Sequence, residues 1–183
     1  VIVFRNPYRR LVSGYLNKYV EHDKYMKASL EIDPKAKLDT FESFVDELYR
    51  NSLHAIDVLH FSPQIRKYAH IDFDYVFHSE KLEALRGFIN GMFSTEEVMP
   101  VRVNQYGIKN SEHRESDIPF PRMRTAELLD MIKSKTAMPY NGFYTDELMR
   151  KVRVIYEEDF SFIGKCLSNG VIDRPLHDEL MYL

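Results

Sequence analysis

The feature that most constrains this chain is its opening, a run of apolar residues that hands over at once to a helix start. Val1-Ile2-Val3-Phe4 reads as a short, fully apolar β-strand. Asn6 is a good helix N-cap, and Pro7 suits the first helical position, where a missing N–H costs nothing. Tyr8, Leu11, Val12, Tyr15, Leu16, Tyr19 and Val20 then fall at helical spacing. They predict one helix from Pro7 into the twenties, ending in the polar run Glu21-His22-Asp23-Lys24. A strand running straight into a helix N-terminus suits an anion, because unpaired N–H groups and the positive end of the helix dipole meet at the junction. Arg5 sits on that junction, and Ser13 lies two turns into the helix at the edge of its apolar stripe. A guanidinium fork and a hydroxyl so placed can close on one phosphate. A surface helix with a capping arginine has the same spacing, so spacing alone leaves both readings open.

Composition narrows the classes. The 183 residues, 44% hydrophobic and 13% aromatic, supply one domain with a core, read as a single unit over 1–183. A net charge of −3 gives no case for nucleic acid or an anionic membrane as partner. No apolar run is long enough to span a bilayer, and no signal peptide is evident. A single cysteine, Cys166, excludes an internal disulfide, and the chain has no Asn-x-Ser/Thr acceptor. Both facts favour a cytosolic or bacterial setting, and the location is read as cytoplasmic. The scattered His residues and lone Cys fit no metal site, and Gly-x-Ser-x-Gly is absent.

The stretch Arg5-Asn-Pro-Tyr-Arg-Arg-Leu-Val-Ser13-Gly-Tyr15 resembles a motif of the sulfotransferases that use 3′-phosphoadenosine 5′-phosphosulfate. There it reads roughly Arg-Asp-Pro-x-x-Arg-Leu-x-Ser-x-Tyr, and its Arg and Ser hold the donor's 3′-phosphate. The resemblance therefore implies that role for Arg5 and Ser13. Asn6 replaces the usual Asp while keeping the N-cap, and Arg10 matches the second arginine.

Further segments follow in the family's order. Asp57-Val-Leu-His60-Phe-Ser-Pro-Gln64 resembles the segment His-Trp/Phe-x-Pro-Gln, which implies that His60 and Gln64 line the acceptor cleft. Read from its residues alone, it is a loop in which His60 bonds a backbone carbonyl and Pro63 ends the turn. Ile65-Arg-Lys-Tyr68 lacks the Cys pair of animal Golgi enzymes, so the resemblance is to the broader family. Asp72 to Phe77 predicts a second strand, with Phe73, Tyr75 and Phe77 as packing residues, followed by a helix capped by Ser79. Glu80 and Leu82 match the family's Glu-x-Leu. Ser94-Thr-Glu-Glu97 reads as a capping box. Val101 to Phe120 shows no periodicity and resembles a basic loop that closes over the donor, which implies nucleotide contacts for Asn104 and Lys109.

Thr40 caps a predicted helix carrying Phe41, Phe44, Val45 and Leu48, after a loop from Glu31 to Asp39. Helices are also expected from Arg124 to Lys135 and, as one long element, from Thr145 to Leu167. Inside the last, Tyr156-Glu-Glu-Asp159-Phe160 resembles a family ending read as structural, with Asp159 pairing or capping. The tail after Gly170 carries no signal.

The resemblance implies an α/β fold of the P-loop nucleotide-kinase type, a parallel sheet flanked by helices, with the N-terminal part of the sheet missing from this chain. The family's loop for the 5′-phosphosulfate, Pro-Lys-x-Gly-x-[Ser/Thr], has no counterpart here. That loop and the catalytic base, a His or Glu in relatives, are expected ahead of Val1, which would leave residues 1–183 inactive alone. His60 is the substitute base within the chain. The implied reaction moves a sulfuryl group from 3′-phosphoadenosine 5′-phosphosulfate to an acceptor hydroxyl on a carbohydrate, without a metal. Two alternatives stay open. A kinase-like transferase would need a lysine-bearing phosphate loop and a Mg²⁺ carboxylate. A non-catalytic α/β interaction domain would make Arg5 and Ser13 structural.

Overall fold

Strand β1 (Ile2–Phe4) pairs in parallel with β2 (Val76–His78) in the computed structural model, which describes residues 1–51, 58–68, 70–93 and 119–182. Ile2 lies opposite Val76 and Phe4 opposite His78, so the carboxyl ends of both strands emerge together. Ile2 and Phe4 are buried while Val3 is exposed, as the two-residue period of a half-covered strand requires. Among the described residues this sheet has two strands, and the architecture is mixed α/β with helices dominant.

Helix α1 (Pro7–Tyr15) follows β1 and is capped by Asn6. The helix predicted to run unbroken into the twenties instead widens into a π-helical segment, Leu16–Glu21, and stops at His22. Leu16, Tyr19 and Val20 are buried along it. The chain then re-enters a helix, α2 (Asp23–Ile32), so the polar run at Glu21 marks a break between two helices rather than the end of helical structure. A buried bond of 2.8 Å between Tyr19 OH and Ser29 Oγ ties α2 back. Helix α3 (Phe41–Asn51) starts as expected, with Thr40 Oγ1 accepting from the Ser43 N–H at 3.1 Å. Its Phe41 and Phe44 pack with Tyr15, Tyr19 and Phe61 in an aromatic core.

The short α4 (Val58–Phe61) lies against α1 because residue 14 is glycine: a Cβ there would sit 2.7 Å from the Phe61 ring. That close approach brings Ser62, Pro63 and Gln64 beside the β1–α1 junction. A 3₁₀ turn, Ile65–Tyr68, follows. Helix α5 (Leu82–Phe93) comes after β2, with Phe88 packed on Tyr75 and Phe77. Ser79, expected as its cap, has a buried Oγ without a partner among the described residues; the turn is held instead by His78 Nδ1, which accepts from the Glu80 N–H at 3.1 Å.

Helix α6 (Thr125–Lys133) matches its expected place. The long helix predicted from Thr145 to Leu167 is two, α7 (Asp146–Ile155) and α8 (Glu157–Ser168), bent where Tyr156 adopts φ −109° and ψ 29°. The bend keeps the Tyr156 ring buried and turns Asp159 inward. The tail forms a further helix, α9 (Arg174–Met181), capped by Asp173 and burying Leu180 and Met181. The Ser94–Glu97 capping box, Asn104 and Lys109 lie outside the described residues. No helix among those residues is long and apolar enough to cross a membrane.

Candidate anion-binding site

The junction of β1 and α1 does not present the bare amides that its sequence promises. Pro7 has no N–H. Asn6 Oδ1 accepts from Tyr8 N at 3.0 Å and Arg9 N at 3.2 Å, and the Arg10 N–H goes to Asn6 O at 3.0 Å. The first-turn donors are thus engaged, and the donors left to meet an anion at this junction are side chains. The Asn6 amide also reaches out of the helix, donating to Glu179 O at 3.0 Å and Tyr182 O at 2.6 Å. An aspartate could cap the helix but could not make those two bonds.

The structure brings Arg5 and Ser13 together. Arg5 Nη2 donates to Ser13 Oγ at 2.9 Å and to Tyr140 OH at 3.3 Å, while Ser13 Oγ and Tyr140 OH lie 3.1 Å apart. On its other side, Arg5 Nε stands 3.7 Å from Glu80 Oε1, and Glu80 also pairs with Arg9. The Arg9 guanidinium lies over the Tyr140 ring, 5.8 Å from its centroid. The Nε atoms of both arginines are buried with no hydrogen-bond partner among the described residues. Two cations and two hydroxyls therefore converge at the carboxyl end of β1, balanced by one internal carboxylate.

The main chain of Arg5 is held separately. Gln64 Oε1 accepts from Arg5 N at 3.1 Å, and Gln64 Nε2 donates to Arg5 O at 2.8 Å. Asp159, fully buried on α8, in turn accepts from Gln64 N at 3.0 Å and Ile65 N at 2.9 Å. Arg10 donates to His60 O at 2.9 Å and Ser62 O at 2.6 Å, lies 3.9 Å from Asp159, and stacks over the Tyr156 ring. Burial pushes the Asp159 carboxyl above its ordinary value, against the pull of the Ile65 and Gln64 amides and of Arg10. Three segments that the sequence offers separately thus form one polar knot behind Arg5.

Of the residues expected at an acceptor, Gln64 has both amide atoms bonded to Arg5. His60 is exposed on α4, its ring centroid 6.0 Å from that of Tyr25. At the end of β2, His78 is buried, and burial holds its imidazole below the ordinary range. Sequence reasoning missed Tyr140, which reaches the site from 135 residues away. No spacing rule connects it to Arg5; the turn-forming Pro139 and Gly142 around it mark only a loop.

Residues 1–164 match the sequence model of the sulfotransferase family. The chain belongs to the sulfotransferase family. No curated protein and no solved structure matches it. In this sulfotransferase the β1–α1 junction, the Gln64 segment and the Asp159 helix all lie inside the matched stretch, whereas α9, which engages Asn6, lies beyond it. Family membership assigns sulfuryl transfer as the class of chemistry.

Proposed function

We propose that the chain binds 3′-phosphoadenosine 5′-phosphosulfate through Arg5 and Ser13, and serves the transfer of its sulfuryl group to an acceptor hydroxyl. A carbohydrate is the acceptor class that the resemblance favours. The observation that supports the donor assignment is the 2.9 Å contact of Arg5 Nη2 with Ser13 Oγ where β1 ends. The reading is supported by the Nε atoms of Arg5 and Arg9, which have no hydrogen-bond partner among the described residues and so leave donor capacity unspent. In this reading the fold is the P-loop-like α/β layout of the family, with Asn104 and Lys109 closing over the nucleotide and His60 on the acceptor side.

In the transfer, the acceptor oxygen bonds to sulfur as the bond from sulfur to the 5′-phosphate oxygen breaks. The electron pair leaves on adenosine 3′,5′-bisphosphate, and the acceptor's proton passes to a base. Arg5 and Ser13 touch neither bond. They anchor the nucleotide by its remote phosphate, so that binding energy far from sulfur fixes the reacting groups.

Adenosine 3′,5′-bisphosphate should raise the melting temperature where ADP does not. Charge-assisted hydrogen bonds are worth about 1.5–3 kcal/mol. Arg5→Ala should therefore weaken the bisphosphate by roughly tenfold or more in calorimetric titration. Adenosine 5′-phosphate, lacking the 3′ group, should be nearly unaffected. Equal losses for both nucleotides would reduce Arg5 to scaffolding, and indifference of the native chain to every nucleotide would favour an interaction domain.

A further inference from the structure

We infer that Tyr140 is a third ligand of the donor's 3′-phosphate, its phenol hydroxyl donating to the anion that Arg5 and Ser13 hold. The inference rests on the donor reading above and extends it to a residue that no motif marks.

The first support is the hydrogen count. Arg5 Nη2, Ser13 Oγ and Tyr140 OH form a closed triangle with sides of 2.9, 3.3 and 3.1 Å. The guanidinium nitrogen has two N–H bonds, one for each hydroxyl oxygen. The two hydroxyls share a single hydrogen bond between them, so one O–H points away from the triangle. A phosphate oxygen placed against its open side accepts that proton and can then draw the others toward itself. Among the described residues the Tyr140 hydroxyl meets only Arg5 and Ser13, and the residue is partly exposed, so an anion has access.

The second support is that the backbone of Tyr140 is positioned by the core as well as by the groups it would assist. It opens a 3₁₀ turn, Tyr140–Phe143, closed by a 3.0 Å bond from Gly142 N to Pro139 O. Glycine is required there: a Cβ at residue 142 would lie 2.7 Å from the Phe120 ring. Phe143 is fully buried, stacked on Phe120 at 5.2 Å and edge-on to Phe41 at 5.4 Å. Arg9 over the Tyr140 ring fixes its remaining freedom. The core thus fixes the turn that carries Tyr140 and Arg9 limits the ring, which is the preorganisation a recognition group needs.

The test is Tyr140→Phe, which removes the hydroxyl and keeps the ring under Arg9. Calorimetric titration should show adenosine 3′,5′-bisphosphate bound about tenfold more weakly, as expected for one hydrogen bond to a charged group. Adenosine 5′-phosphate should bind as before, and the melting temperature should stay within about two degrees. In the Ser13→Ala, Tyr140→Phe double variant the losses should be less than multiplicative, since both act on one anion. Bisphosphate affinity unchanged in Tyr140→Phe but reduced in Arg5→Ala would make Tyr140 a mere prop and overturn the inference. Affinity unchanged in both would remove the donor reading beneath it.

Discussion

The main chain and the side chain of Arg5 are held by two differently built regions. Behind it, the knot of Gln64, Asp159 and Arg10 acts on backbone: Asp159 is fully buried, and its bonds span 94 and 95 residues of sequence. In front, the seat of Ser13, Tyr140, Arg9 and Glu80 acts on side-chain tips, with Arg5 and Glu80 side chains 28% and 29% exposed. Bonds between a buried carboxylate and main-chain amides cannot be exchanged for a ligand without unfolding the segment. Bonds among hydroxyl and guanidinium tips can. On the proposed donor reading, a site that accepts and releases an anion divides the work, with rigidity invested in the backbone and exchangeable donors carried on side chains. Substitutions in the knot should then be read in stability, and substitutions in the seat in ligand affinity.

The largest expected effect comes from Asp159→Ala. It leaves the buried Ile65 amide and the part-buried Gln64 amide without an acceptor and deprives Arg10 of its carboxylate, a loss of about 3–5 kcal/mol. For a chain of this size that lowers the melting temperature by roughly ten degrees, measurable by differential scanning calorimetry. A shift below about two degrees would mean that the knot is not the rigid half of the pair.

Gln64→Met comes next and tests whether the two regions are coupled. Methionine keeps the length and loses both bonds to Arg5, for about 1–3 kcal/mol in urea denaturation. If the clamp aims the guanidinium, bisphosphate affinity should fall severalfold while adenosine 5′-phosphate is unchanged. Bisphosphate affinity equal to the native value would uncouple knot from seat, and would favour the acceptor-side role that the resemblance implies for Gln64.

How much of this was legible in sequence follows from range. The β1–α1 junction is a local pattern of apolar period, cap and proline, and both its elements could be read from spacing; the Arg5–Ser13 approach was open on spacing and was singled out by the resemblance to the family motif. The cap at Thr40 was equally local. The bend at Tyr156 was not, because the apolar period runs through it; burial of the Tyr156 ring and inward rotation of Asp159 override a continuous helix. Nor was the π-helical stretch at Leu16–Glu21, since Leu16, Tyr19 and Val20 keep the spacing of an ordinary helix and mark no widening. Gln64 and Asp159 stood in recognisable segments, but no spacing says that an amide will embrace the backbone of residue 5. Tyr140 and α9 reach the site wholly through the fold.

The smallest expected effect belongs to Asn6, which borders both regions. Asn6→Asp restores the family's residue and keeps the oxygen that accepts from Tyr8 and Arg9. A carboxylate at a helix N-terminus even gains about 0.3–1 kcal/mol from the dipole. Against that, the two donations to Glu179 O and Tyr182 O are replaced by oxygen facing oxygen, which costs about 1–2 kcal/mol. The gain offsets part of the cost, so global stability should fall by no more than about 2 kcal/mol. The local consequence is sharper. The end of α9 loses its tie to the junction, and amide hydrogen exchange in Arg174–Met181 should accelerate while α1 and α8 keep native protection. Bisphosphate affinity should stay within about twofold, because the seat is built from Arg5, Ser13 and Tyr140 and the cap on α1 survives. A large loss of affinity would mean that α9 steadies the seat through Asn6, and the division between rigid backbone and exchangeable tips would have to extend to the C-terminal helix. Unchanged exchange in α9 would mean instead that its own packing through Leu180 and Met181 suffices, and that asparagine at position 6 is no more than a cap.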